Sequence, residues 1–390
     1  MEIVSSYHPL APPTREDSLV TWLRLIRSRR VGATTFFRLI DDHGSAAAAL
    51  EALPRIAEEA GVEDYAPCTE ETARAEIARA RKAGAVAVLH GSPAYPPALL
   101  DLPDAPPVLW ALGHTELLHR PMVALVGARN ASSLGLRMAR RLAEGLAGAG
   151  YVIVSGLARG IDRAAHIAAL ETGTIAVQAG GIDVPYPVEN TGLANEIAQF
   201  GLRLSEQPPG LDPQARHFPQ RNRIISGLAR AVVVVEAASR SGSLITARSA
   251  LDQGRDVLAV PGHPFDARAS GCNMLIRDGA VLVRHPDDVL EALGPAPSLT
   301  EARQPEAPAP QARPRVTEVP ETPAAHSRVP ADPAVLHARI LDRLGPSPLA
   351  EDQLIRDLGL PAGAVTPELV TLELDGRIAR APGGLLSRTR

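Results

Sequence analysis

The sequence predicts an α/β protein, a doubly wound and mostly parallel sheet with a small helical domain before it and a three-helix domain with a two-stranded wing after it. Three observations carry that reading. From residue 85 to 294, the short apolar runs AVAVL, VLWAL, MVALVG, YVIVSG, TIAVQAG, LRLSE, AVVVVE, DVLAV and AVLVR alternate with helical stretches. Runs apolar on both faces need cover on both faces, as parallel strands under helices have, so this region reads as Rossmann-like. Residues 1–84 instead carry helical periodicity broken at Gly32, Gly44 and Gly61. Residues 295–332 are dominated by Pro, Ala, Glu and Arg without apolar periodicity, so they cannot bury enough surface to order themselves and read as a disordered linker.

In chain order, residues 1–15 read as a loose leader, followed by helices over Ser18–Arg29, Thr34–Asp41, Ala46–Glu59 and Glu70–Lys82. The turn at Gly32 and the amphipathic helix after it are similar to helix-hairpin-helix or sterile-alpha-motif-like modules. One glycine is fewer than the pair a DNA-binding hairpin carries, so the domain reads first as a packing module. After the linker, Ala334–Leu344, Glu351–Leu358 and Pro361–Leu374 read as three helices, then RIARA, a Pro382-Gly383-Gly384 turn and LLSRT as a wing. This 333–390 region is a winged-helix pattern, a relative of duplex-DNA binders. Its would-be recognition helix holds Glu368, Glu373 and Asp375 and no Arg or Lys, which is the wrong sign for phosphates. A protein contact or a weak duplex contact through Arg377, Arg380, Arg388 and Arg390 is expected instead.

The chain has 390 residues, is 45% hydrophobic and carries a formal charge of -4, so binding to a polyanion must come from a local patch. Lys82 is the only lysine. Phosphate contacts would therefore be planar and bidentate arginine contacts, although genome composition gives the same bias. Cys68 and Cys272 stand far apart with no CxxC or His cluster beside them, which predicts neither a disulfide framework nor a metal site. With no signal pattern and no bilayer-length apolar run, the expectation is a cytoplasmic protein.

Several loops gather glycine, hydroxyl and arginine residues at strand ends, where open α/β sheets hold their ligands. In VGARNASSLG, Ser132 or Ser133 caps a helix, Gly135 allows close approach and Arg129 is placed to reach a phosphate. GxGxxG is absent and the next strand ends in Ser155 rather than an acidic residue, so no nicotinamide cofactor is expected. SGLARGID contributes Ser155, Gly156, Arg159 and Gly160, with Asp162 and His166 four apart on the next helix. With no nucleophile or metal ligand beside them, that pair reads as structural rather than catalytic. FPQRNR brings Phe218, Arg221, Asn222 and Arg223, with Arg216 just upstream, and an aromatic ring among guanidiniums suits an unpaired strand with exposed base faces. Either Arg221 or Arg223 is expected to be solvated, since neighbours point apart. SGSLITA offers Ser241, Gly242, Ser243 and Thr246, AVPG offers Gly262, and SGCNMLIRDGA offers Asn273.

These blocks, together with Tyr186-Pro187 and Ser205-Glu206, closely resemble the DprA (Smf) family of DNA-processing proteins over about 109–293. The resemblance implies an extended Rossmann fold, homodimers, binding of incoming single-stranded DNA in natural transformation, delivery of that DNA to the RecA recombinase, and no enzymatic activity. By position, the family's phosphate-reading arginine falls on Arg129, and its basic and aromatic contacts on Arg216, Phe218, Arg221, Asn222 and Arg223. Ala128 stands where the family has serine, Leu134 where tyrosine is frequent and Arg159 where lysine is common. Two other readings remain. A phosphoribohydrolase-like nucleotide enzyme lacks its PGGxGTxxE block here, and a duplex-binding winged-helix regulator meets the acidic helix.

Overall fold

In a computed structural model the chain is described over residues 12–293, 332–344, 348–381 and 385–389. The linker expected at 295–332 lies outside these residues except for Asp332, and the Pro382-Gly383-Gly384 turn and the first eleven residues lie outside them altogether.

Four helices, Glu16–Arg27, Ala33–His43, Ala46–Glu59 and Glu70–Lys82, open the fold. Ser45 and Thr69 cap the third and fourth by accepting from the N–H three residues on, and Gly44 ends the second in a left-handed conformation (φ +77°). Each apolar run of the next region forms a strand: β1 Val86–Leu89, β2 Val108–Gly113, β3 Met122–Val126, β4 Val152–Ser155, β5 Thr174–Gln178, β6 Leu202–Ser205, β7 Ala231–Val234, β8 Asp256–Ala259 and β9 Val281–Leu282. They make one sheet in the order β1-β2-β6-β5-β4-β3-β7-β8-β9, in which β1–β2 and β2–β6 pair antiparallel and all other neighbours pair parallel.

Strand alternation divides the core between the two faces. Val123, Leu125, Ile153 and Val233 join Leu142 and Leu146 on one side, while Ala124, Val126, Val154, Val232 and Val234 join Ile224 and Ile225 on the other. The first four helices do not have a core to themselves. Leu23, Phe36 and Ile77 pack with Val108 and Trp110 of β2, and the buried carboxylate of Glu76 accepts from Trp110 Nε1 (2.8 Å) and from the Arg27 guanidinium (2.9 Å).

The third unit has helices Pro333–Arg343, Glu351–Leu358 and Ala362–Leu374, and strands β10 Leu349–Ala350, β11 Ile378–Ala381 and β12 Leu385–Arg388 in the order β10-β12-β11. It is a winged helix around Ile340, Leu354, Val365, Leu369 and Leu386. No described helix is long and apolar enough to cross a membrane.

Candidate nucleic-acid interface

The sheet order fixes where a ligand can sit. From β3 the chain winds outward through β4, β5 and β6, then returns to place β7 on the other side of β3. The loops after β3 and β7 diverge and leave a crevice beyond their carboxyl ends. A cavity of about 1060 Å³ opens there, lined by 126–130 after β3, by Ser241, Gly242 and Ser243 after β7, and by Phe218, Arg221 and Asn222 of helix His217–Leu228.

Arg129 is exposed, with its guanidinium carbon 5.0 Å from the centre of the Phe218 ring. The Tyr186 ring centre lies 5.7 Å from that of Phe218 in a tilted arrangement, so a cation and a second aromatic ring both meet Phe218. Arg240, just before Ser241, is also exposed and lines the cavity. Among the described residues neither Arg129 nor Arg240 has a carboxylate partner. Five arginines against three aspartates line the described wall, which leaves it cationic in a chain that is negative overall.

Arg221 reaches the same wall from a buried position. Its Nη1 donates to the carbonyls of Gly156 and Val177, both at 2.6 Å, and burial lowers its pKa to about 10 while nearby Asp162 opposes the shift. Burial raises the Asp162 pKa, and Arg221 limits the rise. A Cβ on residue 156 would lie 2.0 Å from Arg221 Nη1, so Gly156 makes room for that guanidinium rather than for a ligand.

SGLARGID builds a rigid support. Asp162 Oδ2 accepts from the N–H groups of Gly156 (3.1 Å) and Ala158 (3.3 Å), His166 Nε2 accepts from Leu157 N–H (3.3 Å), and Asn190 Nδ2 donates to the carbonyls of Leu157 and Ala158. These bonds hold Leu157 at φ +58°, a left-handed conformation unusual for leucine. Asp162 and His166 therefore serve one loop instead of facing each other, and His166 is fully buried. The Thr174 hydroxyl donates to Ile153 O (2.8 Å), so His166 Nδ1, 2.7 Å away, carries the proton and donates to it. Gly160 sits at φ +74°, where a Cβ would lie 2.2 Å from Ala128 O.

The remaining sequence-derived site residues divide clearly. Ser241, Gly242, Ser243 and Thr246 line the cavity. Ser155 is buried and donates to Leu125 O (2.6 Å). Arg159 is on the surface with Glu189 at 3.6 Å, and Arg216 is exposed beside His217; neither lines the cavity. Arg223 turns away into a pair with Glu206 (2.5 Å) and Asp104 (3.4 Å). Asn273 bonds both the N–H and the carbonyl of Gly262, so each braces the other outside the cavity. Ser132 is occupied too: its N–H and hydroxyl donate to the two oxygens of buried Glu236, at 2.9 and 2.5 Å. The anion at the start of helix Ser133–Gly148 is thus the protein's own carboxylate, and Gly135 gives it room, since a Cβ there would lie 2.5 Å from Glu236 Oε2. Arg240, Arg268 and Glu236 are among the site residues that sequence reasoning missed, Arg240 beside SGSLITA and Glu236 ending AVVVVE.

The family model described as DNA recombination-mediator protein A matches residues 86–294, more than half of the chain. The chain belongs to that family. A DprA-like N-terminal HHH domain model matches 16–79, and a DprA winged helix domain model matches 322–384. The DNA processing protein DprA of Streptococcus pneumoniae is 50% identical over 50% of this chain and 70% of its own length. Protein Smf of Escherichia coli is 39% identical over 76% of this chain and 75% of its own. The X-ray structure of the Streptococcus pneumoniae DprA superposes with a TM-score of 0.55 at 40% identity, covering 65% of this chain and 86% of that one.

Proposed function

We propose that the protein binds single-stranded DNA in the switch-point cavity and hands it to a RecA-type recombinase. The observation that carries this is the rim where Arg129 and Tyr186 both meet Phe218. A base swung out of a strand has a free face to stack on such a ring while its phosphate meets the guanidinium, whereas a duplex keeps its faces stacked inside. Arg129, Phe218, Arg221, Asn222, Arg240, Ser241, Gly242, Ser243 and Thr246 form the proposed contact set. Ser132, Ser155, Gly156, Arg159, Gly160, Arg216, Arg223, Gly262 and Asn273 support or flank it.

Titration of labelled single-stranded and duplex oligonucleotides of equal length, at several salt concentrations, tests the reading. Preference for the single strand is expected, with log K falling against log salt by roughly 0.7 per phosphate neutralised. Equal affinity for the two forms would remove the proposal.

Two partners extend it. Among the described residues the sheet ends on β9, where Val281 and Leu282 are 45% and 41% exposed, and an end strand with exposed apolar side chains suits a second copy of the chain across a twofold axis. Light scattering should give twice the 41.1 kDa chain mass, and Leu282→Glu should return it to one chain; a monomeric wild type at micromolar concentration refutes that edge. Recombinase delivery follows the family's description as a mediator. It predicts faster RecA filament assembly on a strand pre-bound by this protein, and fails if assembly slows in proportion to the protein added.

A further inference from the structure

Among the described residues, the hydrogen bonds between the winged-helix unit and the sheet domain gather beside the mouth of the cavity. Arg343 Nη1 donates to Ala131 O (2.9 Å) in the loop after β3. Arg268, held flat by both oxygens of Asp266 (3.1 Å each), donates in return to the carbonyls of Asp342 (2.5 Å) and Leu344 (3.0 Å). Docking brings Asp342, Leu344, Arg388 and Thr389 into the cavity lining. Arg388, at the end of β12, spends one N–H on Leu341 O at 3.4 Å, and among the described residues its other donors have no partner.

We infer that the winged-helix domain is the second wall of the single-strand groove, presenting its wing strand β12 through Arg388 and Thr389 rather than its recognition helix.

The inference rests on the single-strand reading and adds to it a composite site made by two domains. Polarity favours a wall over a plug. A domain evolved to block a cationic groove would set carboxylates against its arginines, but the latches here are main-chain carbonyls, and Arg129 and Arg240 keep no carboxylate partner among the described residues. The acidic side chains of helix Ala362–Leu374 are used inside their own domain, Glu368 on His337 (2.5 Å) and Glu373 on Arg380 (3.2 Å). Of the winged-helix residues that do line the cavity, one aspartate is offset by one arginine. The cavity stays open at about 1060 Å³ with the domain in place. Duplex contact through the recognition helix is not needed for this role.

The test uses the full chain and a labelled oligothymidylate, with Arg343→Ala to release the latch, Arg388→Ala to remove the wall's cation, and Arg129→Ala to report on the groove itself. Arg388→Ala should weaken binding roughly five- to tenfold and make the salt slope shallower by about 0.7, one phosphate's share. Arg343→Ala should weaken it similarly, and adding Arg388→Ala to Arg343→Ala should cost no more, because the wall is already gone. Unchanged or tighter binding by Arg343→Ala would make the domain a bystander or a shutter and overturn the inference. So would full additivity of the two changes, which would place Arg388 at a separate contact. Arg388 is on the surface, so its variant keeps the fold; equal thermal midpoints verify this for both. If Arg129→Ala also binds normally, the single-strand reading itself has failed; if Arg129→Ala alone is weak, only the wall has.

Discussion

Arg129→Ala is expected to weaken single-strand binding by about ten- to a hundredfold, the loss of one charge-assisted phosphate contact of roughly 1.5–3 kcal/mol. The side chain is exposed and has no carboxylate partner among the described residues, so its charge is available to a ligand. It lies over Phe218 at 5.0 Å, so removing it also frees the ring on which a base would stack. Phe218→Ala should cost about 1–3 kcal/mol for the lost stack, and the double variant less than the sum, because each residue positions the other. Of these two single changes, Arg129→Ala should make the salt slope shallower and Phe218→Ala should not. Arg223→Ala is the informative contrast: its guanidinium is committed to Glu206 and Asp104 away from the cavity, so the change should lower the melting temperature and leave the slope alone. An Arg129→Ala protein with wild-type affinity and slope would leave the cavity without its principal cation and the functional reading without support.

The contrast between those arginines shows what the sequence discloses. FPQRNR reveals that a ring and several guanidiniums are close along the chain, and helical geometry puts them on different faces, but which carboxylates wait on each face is a tertiary matter. Glu206 neutralises Arg223 from 17 residues away, and Glu236 fills the helix start at Ser132 from 104 residues away. No local pattern announces either. Strands were legible because an apolar run between helices has few alternatives, and each of the runs pairs in the sheet. Their mostly parallel direction was legible too, from runs apolar on both faces, but the exceptions were not, since a buried run looks alike in either sense and β1–β2 and β2–β6 pair antiparallel. Glycines were read as openings for a ligand, while Gly135 and Gly156 make room for Glu236 and Arg221. The same backbone economy serves a buried charged side chain and a phosphate, so glycine spacing located the crevice without saying which residues occupy it. Arg240 was legible in principle, since it precedes the hydroxyl loop at the very switch point the strand order predicts.

The loop that shapes this crevice should make the protein acid-labile through His166. The imidazole is wholly buried and neutral, and burial, helped by the charge of Arg221, lowers its pKa to about 3 from 6.5. The folded state therefore resists a proton that the unfolded state accepts. Stability from this group is fully present above pH 6.5 and is lost as pH falls from there toward 3, at up to about 1.4 kcal/mol per pH unit. Asp162 works in the opposite sense: its raised pKa lets the folded state take up a proton before the unfolded carboxyl does, which relieves a burial penalty as the medium acidifies below that raised value. The wild-type profile alone mixes the two, so the discriminating quantity is the difference between wild type and His166→Gln. Glutamine can accept from Leu157 N–H and donate to Thr174 without titrating, so the variant should lose about 1–3 kcal/mol near pH 7.5 and progressively less relative to wild type as pH falls to about 5. Urea unfolding at several pH values measures this. Parallel profiles would mean that the folded His166 takes up its second proton over the same pH range as the unfolded one, and that at low pH, where a charged imidazole cannot accept from the Leu157 N–H, another group holds that N–H at the crevice.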